Sequence, residues 1–128
     1  LRRGGSSKSV DLQYSEDKEI IINADKGLIS QAFLNLLQNS LDASEKETIR
    51  VQAKEQRKKV SITITDSGRG MSDEEKTHIF EPFYSHKKEG MGIGLYLTKK
   101  IIEAHHGSIT FDSRIGQGTS FSIQITGG

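Results

Sequence analysis

Three glycines stand at alternate positions of residues 90–95 (GMGIGL), and the segment that follows has helical spacing. Glycine has no Cβ, so such a run lets backbone amides approach a large ligand, and a helix N-terminus adds partial positive charge. The stretch therefore indicates a phosphate site. Flexible turns use the same residues, so this interpretation depends on support from the rest of the chain.

The composition limits the classes of protein that fit. The chain has 128 residues, which suits one domain with a single core. A net charge of +1 gives no bulk attraction to nucleic acid or to an anionic membrane, so we expect neither as a direct partner. Cysteine is absent, which agrees with a reducing cytoplasm, and there is no signal-peptide pattern and no apolar run of about 20 residues. We therefore expect a cytoplasmic domain, and whether its parent protein is anchored in a membrane stays open.

A long helix is predicted from about Lys26 to Ser44, with Asp25 as its N-cap. Its apolar residues share one arc: Ile29, Ala32, Phe33, Leu36, Leu37 and Ala43. The opposite face carries four amides and one acid: Gln31, Asn35, Gln38, Asn39 and Asp42. Amides are neutral donors and acceptors of the kind that line a polar pocket, although a solvated surface rich in Asn and Gln is the alternative.

Five short segments are predicted to be strands. Two of them alternate apolar with polar side chains, and a basic stretch between these two predicts an exposed hairpin turn at 56–59. The predicted strands are residues 20–22, 49–53, 60–65, 109–111 and 121–125.

Two further helices are predicted. Ser72 and Glu75 have the spacing of a capping box, so a short helix should follow Ser72 and stop before Pro82. The second runs from Leu95 to His106, with Gly107 as its C′ residue.

Between these helices, residues 80–84 (FEPFY) should anchor a loop by burying their aromatic side chains, Phe80 and Phe83 among them. The polar residues 85–89 are expected to form a mobile lid. Residues 1–9 read as a linker or a truncation edge, and residues 10–128 as one domain. We expect an α+β two-layer sandwich with a mixed, largely antiparallel sheet and about three helices on one face.

A carboxylate stands at the end of the second alternating strand. Asp66 is followed by Gly68, Gly70 and Met71. Such a carboxylate can accept a hydrogen bond from an exocyclic amine while the glycine backbone closes around a flat ring. An ordinary Asp-Ser-Gly turn is the alternative.

Five motifs follow one another along the chain: NLLQN at 35–39, DSGRG at 66–70, FEPF at 80–83, GMGIGL at 90–95 and GQGT at 116–119. In this order and at these separations they resemble the catalytic ATP-binding domain of bacterial sensor histidine kinases, which shares the Bergerat fold with gyrase, the heat-shock chaperone and mismatch-repair ATPases.

The resemblance implies roles for four of the motifs and for the lid. Asp66 should hold the adenine amine, helped by Thr119 and an ordered water, and the wall of the base pocket should be formed by Gly68, Gly70 and Met71. Asn39 should offer its side-chain oxygen to Mg²⁺. The backbone amides expected at the phosphates are those of Gly92, Gly94 and Leu95, with Lys87 or Lys88 of the lid near the γ-phosphate.

The resemblance also implies a reaction. Related hydrolases carry a glutamate general base where this chain has Asn35, which cannot accept a proton at neutral pH, so hydrolysis should be poor. A histidine acceptor needs no such base, so Asn39, Mg²⁺ and Lys87 could support γ-phosphoryl transfer from ATP. None of the four histidines resembles an acceptor, so we expect that group on a separate dimerisation domain, with a response regulator downstream.

Other functions are weighed against this one. The glycine spacing is not that of a dinucleotide-binding fold, and no P-loop Gly-Lys-Ser/Thr is present. A serine-phosphorylating relative and a pseudokinase that binds nucleotide as a regulatory module stay open. A purely structural interaction domain would leave the amide-rich face and the glycine motifs unexplained.

Overall fold

The computed structural model describes residues 9–14, 24–43, 48–84 and 94–126. Within these ranges strands and helices follow one another along the chain. They are β1 (Ser9–Tyr14), α1 (Lys26–Ala43), β2 (Thr48–Gln56), β3 (Lys59–Asp66), α2 (Asp73–His78), α3 (Gly94–Ala104), β4 (Ser108–Arg114) and β5 (Gly118–Thr126). The predicted strand at 20–22 lies outside the described residues, as does Ser44. β1 was not predicted, and Ser9, assigned to the linker, is its first residue.

The five strands form one sheet in the order β1-β2-β3-β5-β4. β1 pairs with β2 in parallel, and the other three pairings are antiparallel. The prediction of a mixed, largely antiparallel sheet within an α+β fold is therefore confirmed.

The turn between β2 and β3 occurs where the basic stretch predicted it. Gln56 pairs with Lys59, which leaves Arg57 and Lys58 as a two-residue loop. Both loop residues have positive φ, 53° and 65°. A two-residue hairpin loop of this kind requires positive φ at both positions, because only that twist matches the flanking strands.

One face of the sheet is buried beneath α1 and α3. The buried apolar side chains follow the two-residue repeat of a strand, at Val60 and Ile64 of β3 and at three positions of β5. From α1 the buried residues are Ile29, Ala32, Leu36 and Ser40. The predicted apolar arc thus faces the core, and the fully buried Ser40 is a polar member of it that the sequence did not predict.

Local hydrogen bonds fix the ends of the helices. Asp25 Oδ1 accepts the Leu28 backbone N–H at 2.9 Å, which confirms the predicted N-cap of α1. Ser72 and Glu75 form the predicted capping box at the start of α2. None of the helices in the described ranges has the length and apolarity that a bilayer span requires.

The end of α3 corrects one prediction. His106, at φ 61°, is the left-handed residue, so it occupies the C′ position that the sequence assigned to Gly107. The His106 N–H donates to Glu103 O and the Gly107 N–H to Ile102 O, which are the two bonds of a Schellman motif. The next residue, Gly107, must also be glycine, because a Cβ on it would overlap the Gln124 carbonyl.

The aromatic loop is only partly as predicted. Phe80 packs against the core, and its ring meets Phe111 edge to face with centroids 5.8 Å apart. Tyr84 also packs against the core. Phe83 is 74% exposed and has φ 68°, so the expectation that it buries its ring was wrong.

Candidate nucleotide site

A row of three buried polar residues crosses the sheet on its helix-covered face. Thr119 of β5 is paired with Asp66 of β3 on one side and with Ser113 of β4 on the other. Their exposures are 6%, 2% and 3%, in a face that is otherwise apolar. Buried polar groups in proteins nearly always serve a hydrogen-bonding role, so this row marks the site.

The Asp66 carboxylate has one occupied and one unoccupied oxygen. Oδ1 accepts the backbone N–H of Gly68 at 2.9 Å and that of Thr119 at 3.3 Å. Oδ2 is buried and has no hydrogen-bond partner among the described residues. Burial raises the pKa of Asp66, opposed by the bonds from Gly68 and Thr119 and by the Ser40 hydroxyl. Although Ser40 acts on that pKa, no hydrogen bond of ordinary geometry joins the two side chains.

The loop after Asp66 closes against two other elements. A Cβ on Gly68 would overlap the Ala43 carbonyl at the end of α1, so the backbone here approaches that helix too closely for any side chain. Gly70 has φ 72° and lies against the Arg114 carbonyl. Only glycine satisfies both conditions without strain. The predicted wall of the base pocket therefore lies between α1 and the β4–β5 turn.

Ser113 ties this loop to the row. Its Oγ accepts the Met71 backbone N–H at 2.9 Å and lies 2.7 Å from Thr119 Oγ1. Sequence reasoning missed Ser113, although it follows Ile109 and Phe111 at the spacing of inward-facing residues in β4. A polar residue at the inward position after Ile109 and Phe111 was the sequence signal that could have identified it.

The amide-bearing face of α1 meets the start of α3. Asn35 Nδ2 lies 3.5 Å from Gly94 O, a long hydrogen bond, and Thr98 Oγ1 donates to the same carbonyl at 2.7 Å. At the other end of the pair, the Asp25 N–H donates to His105 Nε2 at 3.0 Å. The two helices therefore run antiparallel, with the N-terminus of α3 beside Asn35.

The first turn of α3 suits an anion. It begins at Gly94, which is exposed, and continues with Leu95. The amide N–H groups of a first helical turn have no partner within the helix, and the helix dipole adds partial positive charge. The predicted phosphate contacts of Gly94 and Leu95 lie here. Gly92 and Lys87 lie outside the described residues, as do Lys88 and the rest of 85–93.

Asn39 is compatible with a magnesium role. It is half-buried and lies one turn after Asn35 on the same face of α1. Among the described residues, no group of three His, Cys, Asp or Glu side chains could hold a metal. Mg²⁺ bound to nucleotide usually takes only one or two protein ligands and fills its shell with water and phosphate, so a single amide oxygen fits it.

Helix α1 approaches the end of β3 at Ser40 and Asp66. Ser40 on α1 is close enough to influence the Asp66 carboxyl, and Asn39 precedes Ser40 in the same helical turn. The structure thus places the described members of the predicted site in two groups: Asp66, Gly68, Gly70, Met71 and Thr119 lie around the end of β3, and Asn35, Asn39, Gly94 and Leu95 lie on α1 and the adjoining start of α3.

Comparisons with known proteins agree with this geometry. Residues 24–127 match the family model of histidine kinase-, DNA gyrase B- and HSP90-like ATPases. Sporulation kinase B of Bacillus subtilis is 38% identical over 120 residues, covering 92% of this chain and 28% of that protein. The sensor histidine kinase ZraS of Salmonella typhimurium is 37% identical over 128 residues, covering 98% of this chain and 28% of that protein. The chain therefore spans 28% of the length of each of these relatives.

A solved structure gives the same assignment. The catalytic domain of the histidine kinase ThkA, in a nucleotide-free form, superimposes with a TM-score of 0.77 at 33% identity, over 91% of this chain and 78% of that chain. The resemblance inferred from the five motifs is thereby confirmed. The chain belongs to the histidine kinase-, DNA gyrase B- and HSP90-like ATPases, among the catalytic ATP-binding domains of sensor histidine kinases.

Proposed function

We propose that this domain binds Mg-ATP and transfers the γ-phosphoryl group to a histidine on a separate dimerisation domain, from which a response regulator receives it. The observation that carries the proposal is the buried Oδ2 of Asp66, which has no partner among the described residues. A buried acceptor without a donor is costly, and an exocyclic amine of a base would supply the donor.

The phosphates would extend from the base pocket toward the start of α3. Gly94 and Leu95 would present backbone N–H groups to them, and Lys87 would add a positive charge at the γ-phosphate. Asn39 would hold Mg²⁺ through its side-chain oxygen. Bound there with the nucleotide, the ion supplies neutralisation of the phosphate charge.

The position of Asn35 supports transfer in preference to hydrolysis. Its side-chain amide is directed at Gly94 O and has no proton-accepting group at neutral pH, so it cannot activate water as a general base. A neutral imidazole carries its own lone pair. Its nitrogen would attack the γ-phosphorus in line while the bond to the β,γ-bridging oxygen breaks and ADP leaves.

The first test is binding. Calorimetry should show Mg-ADP binding to the wild-type chain, and the Asn39→Ala variant should lose the dependence of affinity on magnesium. Gln31→Ala, an exposed amide on the same helix, is the matched control and should bind like wild type. Unchanged magnesium dependence in Asn39→Ala would refute the metal assignment.

The second test is transfer. The chain is mixed with a dimerisation domain carrying an acceptor histidine and with ATP labelled on its γ-phosphate. We expect an acid-labile phosphoprotein, as phosphohistidine is, and no product with Asn39→Ala. An acid-stable product would instead indicate the serine-phosphorylating relative. Binding without transfer would indicate a regulatory nucleotide-binding module.

A further inference from the structure

The N-cap of helix α1 takes its hydrogen-bond acceptor from a distant part of the chain. At the start of α2, the backbone N–H of the N-cap residue Ser72 donates to the Glu75 side chain three residues later, at 2.6 Å. At the start of α1 the corresponding position is Leu28, whose side chain has no acceptor. There the backbone N–H of Asp25 donates to His105 Nε2 at 3.0 Å. His105 therefore does for α1 what a glutamate of the first turn does for α2.

The two ring contacts of His105 define its protonation state. A backbone N–H can only donate, so Nε2 must offer a lone pair to the Asp25 N–H. Nδ1 lies 2.7 Å from Ile101 O, and a carbonyl oxygen can only accept, so Nδ1 must carry the proton. A cationic imidazole would direct a second N–H at the Asp25 N–H. Both contacts together require the neutral ring with its hydrogen on Nδ1.

His105 stands at the end of α3 that is far from the expected phosphates. The helical rise of 1.5 Å per residue places it about 16 Å from Gly94 along the axis. At the Gly94 end, Asn35 Nδ2 lies 3.5 Å from Gly94 O, which is a long hydrogen bond. Apolar packing between the helices is non-directional. The shorter bond at His105 is therefore the better directional constraint on how α3 sits against α1.

We propose that neutral His105 is a positioning residue for phosphate binding: by joining the end of α3 to the N-cap of α1, it holds the first turn of α3 in register with the amide-bearing face of α1. This inference rests on the proposed nucleotide function. In that complex, Gly94 and Leu95 offer N–H groups from α3, and Asn39 offers an oxygen to Mg²⁺ from α1. Both helices then act on one phosphate chain. A displacement of α3 against α1 therefore weakens the phosphate contacts and leaves the base at Asp66 in place.

The protonation state is tested first, in the ligand-free chain. Two-dimensional ¹H–¹⁵N NMR of the imidazole rings distinguishes the two neutral tautomers and the cation. We expect His105 at pH 7.5 to be neutral with its proton on Nδ1, and the neighbouring exposed His106 serves as the reference ring. A cationic His105, or one protonated on Nε2, would refute its role whatever the chain binds.

The functional test compares ADP with adenosine, which share the base and the ribose and differ in the phosphates. His105→Ala removes the acceptor and should lower the affinity for ADP about fivefold more than the affinity for adenosine, a loss of the size of one hydrogen bond. His105→Gln, whose side-chain oxygen can accept the Asp25 N–H without titrating, should restore the wild-type ratio of affinities. NMR titration measures both affinities, because it tolerates weak binding.

Val60→Ala is the matched control for a general loss of stability. Val60 is 1% exposed and lies at the opposite end of β3 from Asp66, so the change should lower the urea midpoint and leave the ratio unaltered. If His105→Ala lowers both affinities equally, the role of His105 is only structural and the proposal is refuted, while the nucleotide function stands. If wild type binds neither ligand, the proposed function itself fails, and the role of His105 in phosphate binding fails with it.

Discussion

Replacing Asp66 by Asn should make the ligand-free protein more stable and the nucleotide complex much weaker. The wild-type carboxylate is 2% exposed and has no partner for Oδ2 among the described residues, so its burial opposes folding. An amide in the same place is uncharged, keeps an acceptor for the Gly68 and Thr119 N–H groups, and offers an N–H to the unpartnered Ser40 Oγ. Unsatisfied buried groups cost about 1–3 kcal/mol.

The expected gain for Asp66→Asn is about 1 kcal/mol, or roughly 4 °C in Tm for a domain of this size. It should depend on pH. Burial raises the pKa of Asp66, so the cost of the carboxylate is absent below its unfolded pKa, about 3.9, and grows as pH rises through the native pKa. The stability difference between variant and wild type should therefore be largest near neutral pH and should vanish toward about pH 3.

Affinity should move in the opposite direction. The variant presents an N–H to the amine that the carboxylate would accept, so ADP binding should weaken about 100-fold, which is about 2.7 kcal/mol. Thermal melts between pH 3 and 8 and calorimetry with ADP measure both effects. Asp112→Asn, an exposed carboxylate on β4, is the control and should change neither. A variant that is less stable at pH 7, or whose stability difference persists in acid, would refute the unpaired carboxylate.

Three further predictions concern turns and helix ends and can be checked by urea unfolding. Gly118 has φ 89° and a Cβ there would overlap the Asp66 carbonyl, so Gly118→Ala should lower the free energy of unfolding by at least about 3 kcal/mol. Gly116 has φ 81° but lies in open space, so Gly116→Ala should lower it by only about 1–2 kcal/mol. Equal losses would contradict the steric reason. His106→Gly should stabilise the left-handed end of α3 by about 1 kcal/mol, and a loss of stability there would refute the strain. Ser72→Ala should cost about 1 kcal/mol by removing the capping box, and an unchanged urea midpoint would show that the cap contributes nothing.

The features that the sequence predicted correctly depend on local interactions. The N-cap at Asp25 and the capping box at Ser72 are made by residues three apart, so the sequence contains both partners. The alternation in β3 likewise needs only the two-residue repeat of a strand. β1 was missed even though Val10, Leu12 and Tyr14 show the same alternation with polar residues, and its first residue falls in the polar stretch 1–9 that was assigned to a linker.

The candidate site likewise contains residues that the sequence identified and residues that only the fold reveals. Asp66 and Thr119 belong to motifs that the sequence displays, and the structure pairs them across β3 and β5. Ser113 and Ser40 carry no motif, since a single serine is common in strands and helices alike. Ser113 is buried within the row of polar side chains, and Ser40 is buried beside it. Both positions become evident only once α1 and β4 are packed against the central strands.

Helix α1 joins the two halves of the site. On its sheet side, Ser40 lies beside the Asp66 carboxyl at the base pocket, and the preceding residue, Asn39, belongs to the face that also carries Asn35 and meets α3. The antiparallel contact with α3 is fixed at both ends, by Asn35 with Gly94 and by Asp25 with His105. Because α1 contributes to both parts, this one helix would set the distance from base to phosphates in the proposed complex. A nucleotide with its base at Asp66 would then extend toward Asn39 and the first turn of α3.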